Sequence, residues 1–317
     1  MGWLLGRGPI DYMHKKMILL ITAVLACFCA TAQEQQPARY RDKIFDEVQA
    51  DKNIRYAEPP ASGIKRKYYL LDIYQPKNDP AKKRPLIIWM HGGGFKLGNK
   101  SSRGIPLWSK DFAQRGYVCA AINYRNSKGK TLSQFEATAA ACHDAIEDLY
   151  RSISFLKQHA DEYGIDTNRI ILAGNSAGAM IALHAVYASA ADLKKMGKLP
   201  VENASATINP LGIAAVINFW GALFSIDFLK QANVPVVSVH GFKDRVVPYT
   251  SKGGLHGSLS IKTAADALEI PNALKTYNGY GHELQKHFIP FFAGGPVKKR
   301  WKEAAEFAAE FLYRESF

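Results

Sequence analysis

The sequence predicts one α/β domain built on an open, mostly parallel sheet with helices on both faces. Three observations carry this. First, short runs that are apolar at every position recur along the chain, Leu86-Ile87-Ile88-Trp89-Met90 being the clearest. A strand covered on both faces requires such a run, whereas a half-exposed strand alternates. Second, segments with helical spacing separate these runs, as parallel strands joined by crossovers demand. Third, 47% of the 317 residues are hydrophobic and 22% are charged, a balance that supports a sizeable core and excludes wholesale disorder.

The elements follow in order. Residues 33–61 are polar, with an amphipathic stretch near Ile44, Phe45 and Val48 and a Pro59-Pro60 break. They read as an N-terminal arm lying against the core. Tyr68–Tyr74 reads as an edge strand ended by Pro76, since proline cannot donate to a central ladder. Buried strands are predicted at Leu86–Met90, Tyr117–Ile122, Ile170–Ala173, Ala214–Phe219, Val234–Val239 and Leu274–Tyr277. Helices are predicted over Ser102–Gln114, Ser133–Tyr163, Ala177–Ala190, Lys262–Glu269 and Lys299–Tyr313. No linker divides residues 62–317, so these form a single domain. Open sheets of this kind place their sites at the carboxyl ends of the strands.

The first 32 residues read as a secretory signal. Met13-His14-Lys15-Lys16 is a basic start, Met17–Ala30 is apolar except for Thr22, and Ala30-Thr31-Ala32 precedes a polar stretch. Basic, apolar and A-x-A in that order is the pattern of a cleaved signal peptide, with Met13 as the translation start. The apolar run is short for a membrane span. Val24-Leu25-Ala26-Cys27 offers the alternative of a lipid anchor on Cys27, with a less suitable sequence. A secreted or periplasmic protein is therefore expected. Cys119 and Cys142 are the cysteines that remain after cleavage, and their spacing leaves open whether they are bridged.

The net charge is +13. Its 41 lysines and arginines are scattered in short clusters such as Lys65-Arg66-Lys67, and no nucleic-acid-binding motif accompanies them. A basic surface, rather than nucleic-acid binding, is expected.

Four loops at predicted strand ends carry chemistry. Gly174-Asn175-Ser176-Ala177-Gly178 follows the strand Ile170–Ala173 and opens the helix at Ala177. A sharp strand-to-helix turn projects a serine hydroxyl, and the helix N-terminus favours developing negative charge. His91-Gly92-Gly93-Gly94-Phe95 follows the strand Leu86–Met90. Consecutive glycines leave backbone N–H groups uncovered, which suits the oxygen of a tetrahedral intermediate. The expected donors are Gly93, Gly94 and Ala177, with His91 anchoring the loop. Ser176 then needs a base and an orienting acid, in the chain order Ser, Asp, His. Asp244 follows the strand Val234–Val239, and Asp227 is the competing acid. His282 lies in the Gly-flanked loop after the last strand. Phe95, Tyr124, Trp220 and Phe224 stand at strand ends and are candidates to line a substrate pocket. No metal-ligand motif is present, and no cofactor is expected.

HGGGF, GNSAG, HGFKDRVVP and GYGHE, each at a predicted strand end, together resemble the α/β-hydrolase fold family. More narrowly, they resemble its carboxylesterases and lipases with an HGGG oxyanion loop, the hormone-sensitive-lipase-like and related bacterial esterases. The resemblance covers about residues 62–317. It implies carboxylic-ester hydrolysis with Ser176, Asp244 and His282 as the triad and Gly93, Gly94 and Ala177 as oxyanion donors. The sequence departs from the common GDSAGG at Asn175 and Ala179, and HGFKDRVVP is closer to feruloyl- and xylan-esterase-like and prolyl-peptidase-like hydrolases. The expected substrate is therefore a small-molecule or polysaccharide-linked ester. A serine peptidase of prolyl-oligopeptidase type, or a non-catalytic binding protein on the same fold, is the alternative. The oligomeric state is not legible.

Overall fold

Eight strands of the described residues form one sheet in the order β1-β2-β4-β3-β5-β6-β7-β8. They are β1 (Val48–Arg55), β2 (Leu70–Pro76), β3 (Arg84–Met90), β4 (Val118–Ile122), β5 (Ile165–Asn175), β6 (Ile213–Phe219), β7 (Val236–Gly241) and β8 (Asn272–Tyr277). β2 pairs antiparallel with β1 and with β4; the pairings from β4 through β3, β5, β6 and β7 to β8 are parallel. The computed structural model describes residues 37–59, 63–102, 104–131, 133–196, 212–289 and 293–316. The expected signal segment 1–32, with Cys27, lies outside them. Within the chain, Ala38–Phe317 form one compact unit.

The continuous apolar runs have the expected cause. Every residue of β3 is buried. Leu86, Ile88 and Met90 enter one core and Ile87 and Trp89 the other, because successive side chains point to opposite faces. The first core is closed by helices α2 (Phe135–Gln158), α3 (Ala177–Tyr187) and α4 (Ser258–Ala267), the second by α1 (Gly104–Ala113) and α5 (Gly295–Ser316). On α5 the buried residues Trp301, Ala304, Ala305, Ala308 and Leu312 keep helical spacing. Small alanines there let the helix approach the sheet. Trp108 of α1 stacks on Trp89 at 5.4 Å. Each large apolar side chain buried this way contributes about 1.5–3 kcal/mol.

Four expectations are corrected. The polar arm contains β1, a half-exposed edge strand with a bulge between Asp51 and Ile54. Its outer face is solvated, so it carries no apolar run. Residues 68–69 lie in a 3₁₀ turn, and the strand begins at Leu70 with β1 outside it, so it is not the edge. The helix expected over 133–163 ends at Gln158, and a separate turn, Ala160–Tyr163, closes on the left-handed Gly164 (φ 63°). The segment expected to be one helix over 177–190 is α3 followed by a second helix, Ala190–Met196. Residues 197–211 lie outside the described residues. Both cysteine thiols are free: Cys119 packs into one core and Cys142 into the other, with the sheet between them.

Candidate active site

The strand registers assemble the site. Met90 of β3 pairs with Gly174 of β5, so the loop after β3 meets the turn after β5. Asn175 pairs with Phe219 of β6, and Tyr277 of β8 pairs with Gly241 of β7. The loops that carry residues 91–95, 176, 244 and 282 thus leave neighbouring carboxyl ends.

Ser176 sits on a strained turn, φ 53° and ψ −121°. Such a conformation costs a non-glycine residue about 1–3 kcal/mol. It persists because its surroundings fix it: the Ser176 N–H donates to Phe219 O at 2.8 Å, and Ser176 O accepts from Met180 N. Gly178 is obligatory there, since a Cβ would collide with the Met90 carbonyl. This lets α3 start directly against β3.

The hydroxyl of Ser176 lies 3.0 Å from His282 Nε2. His282 Nδ1 lies 2.8 Å from Asp244 Oδ2, which can only accept, so Nδ1 carries the proton and Nε2 is free to take one from the serine. All three residues are buried. Asp244 Oδ1 accepts the Val246 and Val247 N–H groups at 2.8 and 3.0 Å. Burial pushes the Asp244 carboxyl up, but hydrogen bonds from His240 and His282 outweigh it and hold the group well below the usual carboxylate range. Asp227, the competing acid, is exposed and pairs with Lys230 at 2.6 Å.

The glycine loop is pinned from three sides. Asn175 Oδ1 accepts the Gly92 N–H at 3.0 Å. His91 is buried; its Nδ1 meets Gly92 O at 2.8 Å, and Tyr124 stacks on its ring at 4.2 Å while the Tyr124 hydroxyl donates to His91 O. Burial holds the His91 imidazole down to about 4, so it stays neutral. Gly93 and Gly94 adopt φ of 117° and 60°, conformations open to glycine. Gly93, Gly94 and Ala177 line the same cavity as Ser176 and His282.

That cavity has a volume of about 890 Å³. Of the four aromatic residues expected to line it, Phe95 does. Tyr124 instead braces His91. Trp220 is packed between Trp108 and Trp301, at 5.9 and 6.4 Å. Phe224 lies behind the wall, against His184 at 4.1 Å and Phe135 at 5.2 Å. All three are buried in the core, where large apolar rings gain most. The apolar lining comes from Leu97 and Val246 in the loops after β3 and β7, from Phe135, Met180 and Trp301 on helices, and from Phe288. Arg245 and Glu283 also face it. Burial raises the Glu283 carboxyl above its ordinary value, with His282 opposing.

Known proteins carry the same architecture. A family model described as BD-FAE matches residues 71–224. The probable isoprenylcysteine alpha-carbonyl methylesterase ICME of Oryza sativa subsp. japonica is 36% identical over 38% of this chain and 26% of its own length. Esterase LipC of Mycobacterium tuberculosis is 26% identical over 74% of this chain and 60% of its own. The chain thus spans less than two thirds of the length of these relatives. Thermogutta terrifontis esterase 2, phosphorylated by paraoxon, superposes with a TM-score of 0.60 at 24% identity, covering 84% of this chain and 95% of that one. Among the described residues, no helix is long and apolar enough to cross a membrane. The shared architecture shows that this chain has the α/β-hydrolase fold, and in sequence it is similar to proteins named esterase and methylesterase.

Proposed function

We propose that the protein is a serine carboxylesterase. Ser176 attacks the acyl carbon as His282 takes its proton; Asp244 holds the imidazole and stabilises its cation. The N–H groups of Gly93, Gly94 and Ala177 receive the developing oxyanion, each contributing about 3 kcal/mol to the barrier reduction. His282 returns the proton to the leaving alcohol, and water then cleaves the acyl-enzyme by the reverse proton path. The observation that carries this reading is the continuous hydrogen-bond chain from Ser176 through His282 to Asp244 at the wall of one cavity that the glycine loop also lines.

One further part of the reading concerns the substrate. Relatives carry the names esterase and methylesterase. Beside its apolar wall, the cavity presents the uncharged polar side chains of Asn99, Ser101, Ser102, Ser133, Gln134 and Thr138. These suit an ester whose alcohol part bears hydroxyls, including one attached to a polysaccharide. Residues 1–32 support export, with cleavage near Ala32.

The test is hydrolysis of p-nitrophenyl esters from acetate to long chains, beside methyl ferulate and acetylated xylan, by the full chain and its Ser176→Ala variant. Turnover that the variant lacks is the expected result, and the ranking of esters names the substrate class. A folded wild-type protein that turns over none of them contradicts the esterase reading.

A further inference from the structure

The Asp244 carboxylate is held by two imidazoles. Besides His282, His240 at the end of β7 approaches the same oxygen, its Nε2 3.3 Å from Oδ2. From sequence alone His240 reads as a packing residue at a strand end. Its hydrogen bonds define its state. Nε2 also lies 3.2 Å from Val247 O. A carbonyl and a carboxylate can only accept, so Nε2 carries a proton. Nδ1 lies 2.7 Å from Ser258 Oγ. Ser258 Oγ accepts from Asn218 Nδ2 at 3.2 Å, and the other Asn218 Nδ2 hydrogen goes to Ser238 Oγ at 2.9 Å. Asn218 Oδ1 accepts the Gly221 N–H at 2.9 Å. With the Ser258 hydroxyl hydrogen pointing to Nδ1, these bonds run as one continuous chain from Asn218 to the Nε2–H tautomer of His240. His240, Ser258 and Asn218 are fully buried, where an unsatisfied member would cost about 1–3 kcal/mol.

We propose that His240 is a positioning residue for Asp244, donating Nε2–H to Oδ2 so that the carboxylate faces His282 in one orientation and with part of its charge already engaged. This rests on the esterase reading above. Oδ1 takes two backbone N–H groups, and Oδ2 faces two imidazoles, the His240 Nε2–H being shared between Oδ2 and Val247 O, so both carboxylate oxygens are held. The Ser258–Asn218 chain ties that geometry to the start of α4 and the end of β6. Loss of the His240 donor leaves fuller negative charge on Oδ2. That charge favours the imidazolium of His282, which cannot act as a base. The groups facing His240 are Asp244 and the Tyr249 ring, edge-on at 5.7 Å, from the loop after β7, Ser258 from α4 and Asn218 from β6. Beyond Asp244 stand His282 and Glu283, and Arg245 is exposed on the same loop.

The experiment compares pH profiles of kcat and kcat/KM on p-nitrophenyl butyrate for wild type, His240→Ala and His240→Gln, with Ser176→Ala as the blank. A glutamine amide reaches the position of Nε2 and keeps a donor. His240→Ala is expected to lose about tenfold in kcat with KM within about twofold, and to move the acid limb of kcat/KM up by about half a pH unit. His240→Gln is expected to recover most of both. A folded His240→Ala with wild-type kcat and an unmoved limb overturns the proposal, as does a glutamine variant no better than alanine. Should the alanine variant fail to fold, nitrogen-15 NMR of histidine in the wild-type full chain decides: a proton on Nε2 of His240 is expected, and an Nδ1–H tautomer with a bare Nε2 overturns it. This readout needs no activity. Wild type that shows no Ser176-dependent turnover instead sinks the esterase reading.

Discussion

Asn175 Oδ1 accepts the backbone N–H of Gly92 at 3.0 Å, so the side chain beside the serine fastens the loop that faces it. The bond links the turn after β5 to the turn after β3. It sets where the Gly93 and Gly94 N–H groups point relative to the Ser176 hydroxyl. Asn175→Ala removes the acceptor and frees the loop; kcat is expected to fall about tenfold, with a smaller change in KM. Asn175→Asp keeps an acceptor in place and is expected to retain most of the activity. Steady-state kinetics on p-nitrophenyl butyrate separate the two variants.

Asp244→Asn tests the orienting acid. Asparagine keeps the shape but presents a donor or a neutral oxygen to His282 Nδ1, which favours the wrong tautomer. A loss of about 1,000-fold or more in kcat is expected with the fold intact, by analogy with triads elsewhere. Circular dichroism alongside kinetics checks that the loss is chemical.

Gly178→Ala tests the packing beneath the turn. The added Cβ meets the Met90 carbonyl of β3, backbone that cannot step aside without parting α3 from the sheet. A destabilisation above about 3 kcal/mol is expected, large for a single methyl group. Urea denaturation reads it, and a variant within about 1 kcal/mol of wild type contradicts a rigid contact between α3 and β3.

Two histidines away from the hydroxyl chemistry give the stability a pH dependence. Burial holds His91 and His184 each down to about 4, against an ordinary 6.5. His184 accepts the Phe224 N–H on Nε2 at 3.0 Å and meets Met180 O through Nδ1 at 2.7 Å, so neither nitrogen is free to gain a proton. The unfolded chain takes up protons below 6.5 that the folded chain refuses. Stability therefore falls as pH drops from about 6.5 toward about 4, each histidine contributing up to about 1.4 kcal/mol per pH unit. Urea midpoints measured across that window check it, and His184→Gln is expected to reduce the slope by about one proton.

The legible part of the fold was the part with continuous burial. The run Leu86–Met90 gave away β3 because both faces of that strand are covered. β1 was not legible, because Val48–Arg55 keeps one face in water and its middle is bulged at Asp51 and Ile54. Spacing after strands brought Ser176, Asp244 and His282 to three neighbouring loop ends, and the side chains are in hydrogen-bond reach. The surroundings of these groups were less accessible. Tyr124, Trp220 and Phe224 stand at strand ends like Phe95, yet their side chains turn into the core. Phe135 and Phe288 reach the cavity from a helix start and a loop, and no period marks them. His240 looks like any residue of a buried strand; only its distance to Asp244 and its hydrogen bond to Ser258 separate it from packing.

The most direct measurement is intact-mass and peptide-mapping analysis of the full chain after exposure to paraoxon, an organophosphate that captures activated serines. The expected result is one diethylphosphoryl group on Ser176, with activity lost in step. Ser176→Ala is expected to carry no adduct, and His282→Ala to form it at about a tenth of the rate or less. A folded, esterolytic protein that carries no adduct, or carries it on another residue, contradicts Ser176 as the nucleophile.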